Sequence, residues 1–171
     1  MNSCRIRRAE VRDAANIVAG INTICKEGGA FYTTRFIPSP RWQQVLNRPE
    51  SMPDHLLIVA EQNGCFVGAG RLFPGGENTL CQHVAELGLF VLRPYRCQGV
   101  GTQLLAWMLD WAVQAEKIEK ITLSVFATNE PALRLYRKFN FVQEGCLRQQ
   151  IKHGMDYIDF LQMTYFLTRS E

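Results

Sequence analysis

From Arg12 to Lys26 apolar residues recur at helical spacing, at Ala15, Ile17, Val18, Ile21, Ile24 and Cys25, and Gly28-Gly29 ends the run. Repeats of three and four place one apolar stripe on a helix, so the first helix is predicted here. A short strand, Cys4 to Arg8, precedes it. The aromatic, Thr-rich, proline-broken stretch Phe31 to Pro40 reads as a loop, followed by a short helix around Trp42 to Leu46. Two apolar runs, Leu56 to Glu61 and Cys65 to Leu72, flank Asn63-Gly64. That dipeptide favours a type I′ turn, so the runs are predicted to form a hairpin. Pro74-Gly75-Gly76 closes it, and Leu80 to Leu92 is predicted as the next strand.

The second half alternates. Gly99 to Ala115 is amphipathic, with Val100, Leu104, Trp107, Met108, Trp111, Ala112 and Ala115 on one face. Ile121 to Phe126 is rich in β-branched and aromatic residues and reads as a strand. Asn129 to Phe139 opens with Asn129, Glu130 and Pro131, which suit a helix start, and carries Ala132, Leu135, Tyr136 and Phe139 as its buried face. Phe141 to Leu147 and Tyr157 to Leu167 form a last pair of strands around His153-Gly154. Antiparallel hairpins followed by strand, helix, strand, helix, strand define a mixed α+β class.

Composition narrows the function classes. The chain has 171 residues, 47% of them hydrophobic, which suffices for a core without disulfides or a metal and excludes intrinsic disorder. No linker or repeat divides it, so residues 1–171 are expected to form a single domain. Against 16 acidic residues stand 19 Lys and Arg, scattered along the chain, for a net charge of +3, so a charge-driven nucleic-acid partner is not expected. Cys4, Cys25, Cys65, Cys81, Cys97 and Cys146 are widely spaced, without the spacing of a zinc or dithiol site. His55, His83 and His153 are too dispersed for a ligand set and read as ordinary surface or strand residues. Met1 to Arg8 carries no apolar signal core and no run approaches a membrane span. A cytoplasmic protein without membrane partner is the expectation.

The chemistry concentrates in Val91 to Thr102. There a strand ends near Pro94, Arg96 follows, and Gly99 and Gly101 lead into a helix. Glycines let a backbone approach an anion, and the free N–H groups and dipole of a first helical turn attract phosphate. A dinucleotide fingerprint would need glycine at Leu104 and an acidic residue after the Ile121–Val125 strand, and a P-loop would need Gly-Lys-Ser or Gly-Lys-Thr. The chain has none of these.

The run from Glu86 to Thr102, continued by Leu123-Ser124-Val125 and by Asn129, Ala132, Leu135, Tyr136, Lys138 and Phe141, resembles the acetyl-CoA site of the GNAT superfamily of N-acetyltransferases. The resemblance covers the chain from about Leu56 onward. Its later part, including Glu144-Gly145 and Asp156 to Asp159, is similar to bacterial enzymes that acetylate small amines and amino acids. It implies a central, mostly antiparallel sheet of six to seven strands, splayed at the cofactor site and flanked by about four helices. Acetyl-CoA is the implied co-substrate, with no metal. Backbone groups of Leu89, Phe90 and Val91 would pair with the pantetheine arm. Arg96, Cys97, Gln98, Gly99, Val100, Gly101 and Thr102 would form the diphosphate cradle, Asn129 would contact the cofactor arm, and Tyr136 would lie beside the sulfur. The family's glycine before the last Phe is Asn140 here, a residue that tolerates the left-handed conformation of a helix stop.

The same resemblance implies Glu86 as the carboxylate that takes the amine's proton and a backbone N–H near Phe90 or Val91 as oxyanion donor. The alternatives are a solvated strand residue for Glu86 and a core aromatic for Tyr136. Cys97 has no neighbouring histidine to support an acetyl-cysteine route, so direct transfer in a ternary complex is preferred. The acceptor pocket implied by similar enzymes comprises Phe31, Tyr32, Thr34, Arg35, Phe36 and Trp42 with the region Arg148 to Tyr157. Arg35 is either a clamp for a substrate carboxylate or a solvated loop residue. The expected partner is a small-molecule amine or amino acid; transfer to a protein N-terminus or lysine, and a non-catalytic acyl-CoA-binding module, are the alternatives. The exposed late strand is suited to a homodimer.

Overall fold

The computed structural model describes residues 4–28, 31, 33–48, 54–75 and 79–167. In chain order its elements are β1 (Cys4–Arg8), α1 (Ala14–Glu27), α2 (Pro40–Asn47), β2 (Leu56–Gln62), β3 (Cys65–Pro74), β4 (Val84–Val91), α3 (Val100–Gln114), β5 (Lys120–Phe126), α4 (Glu130–Lys138), β6 (Val142–His153) and β7 (Asp156–Phe166). The strands make one sheet of seven in the order β1-β2-β3-β4-β5-β7-β6. All neighbours are antiparallel except β4 and β5. The expected α+β architecture, with a mostly antiparallel sheet and four α-helices, is the one observed.

Alternation along the central strands supplies two cores. Ala85 and Leu87 of β4 and Ile121, Leu123 and Val125 of β5 pack under α3 and α4. Phe90 of β4, with Leu57, Val59, Ala69 and Phe73, packs under α1 and α2. Helix α1 sits so close to β4 that a Cβ on Gly20 would lie 2.7 Å from the Phe90 ring, which fixes glycine there. No helix among the described residues is long and apolar enough to cross a membrane. At the sheet's end β6 is an edge strand with Val142 and Leu147 exposed.

Several boundaries differ from expectation for identifiable reasons. The strand predicted from Leu80 begins at Val84; Thr79–Cys81 is a 3-10 turn and Leu80 is 82% exposed, so that apolar residue marks no strand. Helix α1 starts at Ala14 after a turn over Val11–Asp13, where the Asp13 carboxylate accepts from Glu10 N–H at 2.8 Å. Arg7 donates to both Asp13 oxygens, at 2.7 and 2.9 Å, and to Glu61 of β2. On α3, Leu105 and Leu109 are buried while Trp107 and Trp111 pack at the rim, so the buried stripe is centred on Leu104 and Met108. On α4, Leu133 is buried beside Tyr136. The α4 stop works as expected from Asn140: at φ 62° it permits Phe141 N–H to bond Tyr136 C=O at 3.0 Å and its own N–H to bond Arg137 C=O at 3.0 Å, a Schellman motif.

Candidate active site

The parallel pair β4–β5 lasts only from Val84–Lys120 to Glu86–Thr122. Beyond it β4 continues to pair with β3 as far as Val91, and β5 with β7 as far as Phe126. The two strands therefore diverge and open a gap in the sheet at their C-terminal ends, the place where parallel strands present ligand sites. Leu92 N–H bonds Val67 C=O of β3 at 2.9 Å. Since backbone groups alternate sides along a strand, the N–H and C=O groups of Leu89 and Val91 face the gap and those of Phe90 face β3.

Both strands lead into helices at this end. After β4 comes a 3-10 turn at Arg93–Tyr95, then Cys97 at φ 59° and Gly99 at φ 84°, two left-handed residues that coil the chain before α3. Gly99 is the N-cap; no side chain caps α3 and no acidic residue stands in its first turn. A Cβ on Gly101 would lie 3.4 Å from Leu135 of α4, so the α3 start and α4 are closely apposed. Arg96 is engaged on both sides: Nε donates to Val91 C=O at 2.9 Å and Nη2 pairs with Glu27 Oε2 of α1 at 2.6 Å. Gln98 Nε2 donates to Pro94 C=O at 2.9 Å. The Arg96 bonds tie the segment between β4 and α3 to β4 and to α1.

On α4, Asn129 is the N-cap and its side-chain oxygen accepts from Ala132 N–H at 3.3 Å, which leaves the carboxamide NH2 as its donor group. Tyr136 is buried in the core beneath α3 and α4, its ring 5.7 Å from that of Phe141. Burial pushes its phenol well above the ordinary tyrosine range. Glu86 belongs to the opposite face: it alternates with Ala85 and Leu87, which enter the α3/α4 core. Arg71 Nη2 on β3 donates to Glu86 Oε1 at 2.7 Å. Glu86 also lines a cleft of about 210 Å³ with Thr122 and Ser124 of β5, Gln162 and Thr164 of β7, and Glu144 of β6. Glu144 accepts from Lys120 and from Thr164 Oγ1, and these bonds hold its carboxyl below the ordinary range.

The aromatic segment after α1 is anchored. Asn22 of α1 receives Phe36 N–H at 2.9 Å and donates to Phe36 C=O at 3.1 Å. The rings of Phe36 and Trp42 meet edge-on at 5.2 Å, and Trp42 lies 5.0 Å from Phe73. Phe31 joins the same core, Thr34 and Arg35 are exposed, and Tyr32 lies outside the described residues. The end of the last hairpin reaches this segment, since a Cβ on Gly28 would lie 3.7 Å from His153 Nε2. The segment after α1 and the final hairpin thus border one face. His55, in contrast with the expectation of an ordinary surface or strand residue, is buried; Arg41 donates to its Nε2 at 3.2 and 3.0 Å, and burial together with that guanidinium lowers its pKa.

Two partners escape the sequence reading. Arg71 and Glu27 are joined to Glu86 and Arg96 only by the fold, over 15 and 69 residues. The polar faces of β5 and β7 did carry a signal, because Thr122 and Ser124, like Gln162 and Thr164, stand at alternate positions of otherwise apolar strands.

The family model described as Acetyltransferase (GNAT) family matches residues 22–141. The L-amino acid N-acetyltransferase AaaT of Escherichia coli (strain K12) is 26% identical over 169 residues, 99% of each chain. The putative phosphinothricin acetyltransferase YwnH of Bacillus subtilis (strain 168) is 30% identical over 147 residues, 82% of this chain and 85% of its own. Among solved structures, that of yncA, a putative acetyltransferase from Salmonella typhimurium with its cofactor acetyl-CoA, superposes with a TM-score of 0.87 at 19% identity, over 99% of this chain and 96% of that one.

Proposed function

The chain belongs to the acetyltransferase (GNAT) family, and from that premise we propose that it moves an acetyl group from acetyl-CoA to the primary amine of a small molecule, an amine or amino acid, by direct attack in a ternary complex. One observation carries the reading: the sheet opens between β4 and β5 after Glu86–Thr122. Only at such a gap can groups from both layers reach the same atoms. The acceptor then approaches from the face of Glu86, and the leaving sulfur lies toward the face of Tyr136.

The α3 start fits an anionic diphosphate, having free first-turn N–H groups, no side-chain cap and no acidic residue. In this reading Gln98, Gly99, Val100, Gly101 and Thr102 hold the phosphates through backbone N–H groups, with Cys97 shaping the turn. Arg96, engaged with Val91 and Glu27, fixes the cradle to β4 and α1. The gap-facing groups of Leu89 and Val91 align the pantetheine arm, Phe90 anchors β4 beneath them, and Asn129 adds its carboxamide NH2. Val91 N–H points to where charge develops on the thioester oxygen; a preorganised donor of this kind is commonly worth ~3 kcal/mol.

An alkylammonium with a pKa near ~10.4 is only about one part in a thousand free base at neutral pH, so a proton acceptor beside the amine accelerates attack. Glu86 takes that proton. Tyr136 donates a hydrogen bond to the leaving sulfur. Its phenol, already ~1.5 units less acidic than a thiol in water, is made weaker still by burial, so it stabilises the thiolate without giving up its proton. Phe31, Phe36 and Trp42 form the apolar wall on the acceptor side, and Arg35 is assigned to that side by its place in the same segment. Incubation with acetyl-CoA and a panel of amines, amino acids and peptides, read by free-thiol release and product mass, tests the reading. An N-acetylated small amine is expected; acceptor-independent thiol release or exclusive acetylation of peptides contradicts it.

A further inference from the structure

Arg71 faces Gly88 across the β3–β4 ladder, and Phe73 faces Glu86. With no side chain at Gly88, the Arg71 side chain lies across β4 there: a Cβ on Gly88 would sit 3.1 Å from Arg71 Nε. The guanidinium then reaches diagonally to Glu86, Nη2 to Oε1 at 2.7 Å. It is also held over two rings, 5.8 Å from Trp42 and 5.1 Å from Phe73. The Arg71 side chain is 22% exposed and that of Glu86 55% exposed, so a cation stands beside the anion that lines the cleft.

We infer that Arg71 and Glu86 together select α-amino acids as acceptors, Arg71 binding the carboxylate while Glu86 receives the amine. This rests on the reading of Glu86 as proton acceptor given above. An α-amino acid carries its ammonium and carboxylate on one carbon, and a neighbouring guanidinium and carboxylate present the complementary charges in the same compact arrangement. A guanidinium is a planar fork of several donors; the bond to Glu86 uses Nη2, and the fork geometry suits a second carboxylate. A simple alkylammonium keeps the Glu86 contact but offers Arg71 no carboxylate, and so does a peptide N-terminus, whose first carboxyl is an amide. The pair therefore discriminates against both. Trp42, which stacks on Arg71 and packs against Phe36, lies where the acceptor's side chain extends, favouring apolar amino acids.

The test pairs each acceptor with its decarboxylated amine: L-phenylalanine with phenethylamine and L-leucine with isoamylamine. In the wild type kcat/KM is higher for the amino acid of each pair. Arg71→Gln lowers the ratio of amino acid to amine by about 10- to 100-fold, the range expected for losing a charge-assisted contact, and Arg71→Lys, which keeps the charge without the fork, gives an intermediate ratio. Calorimetric binding of L-phenylalanine to the enzyme with CoA weakens in the same order. If Arg71→Gln folds poorly, Arg71→Lys carries the comparison. An unchanged ratio, with both substrates slowed alike, overturns the inference and leaves Arg71 as a support for Glu86. A wild type that prefers the decarboxylated amines overturns it while acetyl transfer to small amines stands, and a wild type that acetylates neither overturns both.

Discussion

Glu86 and Thr122 are the last rung between the parallel strands β4 and β5, and past that rung the sheet is open from one face to the other. Glu86 therefore sits at the lip of the gap on one side, while Tyr136 belongs to the core of the other. On the proposed reading, an amine approaches the acyl group from one layer and the sulfur is stabilised from the other.

On the role proposed for Glu86, Glu86→Gln removes the proton acceptor and leaves the amine to lose its proton to solvent. At neutral pH kcat is expected to fall by about 100-fold or more. The rate of the variant should then rise by about tenfold per pH unit toward the amine's own pKa near ~10, while the wild type rises less. Rate–pH profiles of the two proteins side by side check this, and profiles of equal slope count against the role.

For Tyr136→Phe the expected loss is in kcat, more than about tenfold, with KM for acetyl-CoA nearly unchanged, because the proposed hydrogen bond is made to a developing thiolate. The buried phenol is held protonated well above its ordinary range. The wild-type rate should accordingly show no descending limb from tyrosine ionisation near pH ~10. A variant that binds acetyl-CoA poorly assigns Tyr136 to packing instead.

Cys97 occupies a left-handed conformation, φ 59°, at a cost of about 1–2 kcal/mol for a residue with a Cβ. Cys97→Gly relieves that strain, offset in part by the greater freedom of glycine in the unfolded chain. The net expectation is a Tm higher by about 2–4 °C. At Gly99, φ 84°, alanine has the opposite effect on Tm and raises KM for acetyl-CoA. Differential scanning fluorimetry and initial rates read both.

The Arg7–Asp13–Glu61 cluster pins the turn before α1 to β1 and β2. Burial disfavours the Asp13 charge, but the Arg7 bonds and the Glu10 N–H more than offset it, so its carboxyl lies below the usual range. A depressed folded pKa contributes stability above the unfolded value of ~3.9 that is lost as pH falls through the folded one. Arg7→Met is expected to cost about 3 kcal/mol at neutral pH by stranding that carboxylate, and the difference from wild type should shrink below pH ~4 as Asp13 takes up a proton. Urea unfolding across this pH range measures it.

Local signals carried the elements that position the site. Asn63-Gly64 marked the β2–β3 hairpin, Asn129 the start of α4, and the left-handed tolerance of Asn140 its stop, because each acts through its own backbone. The turn and helix start within Val91–Thr102 are equally legible, since Pro94, Gly99 and Gly101 act through their own backbone. What stayed hidden depends on side chains meeting across the fold. Arg96 looked like a free cation for phosphate until its Glu27 partner was in view, and Glu86 looked solitary without Arg71. Leu80 misled because an apolar residue in a turn carries no label distinguishing it from one in a strand.

Two-substrate initial rates of CoA release, with acetyl-CoA varied against an L-amino acid acceptor, test most directly whether the gap brings both substrates together. Lines that intersect, with release dependent on the acceptor, are the predicted result. Parallel lines, as from an acyl group parked first on Cys97, or release that ignores the acceptor, would contradict it.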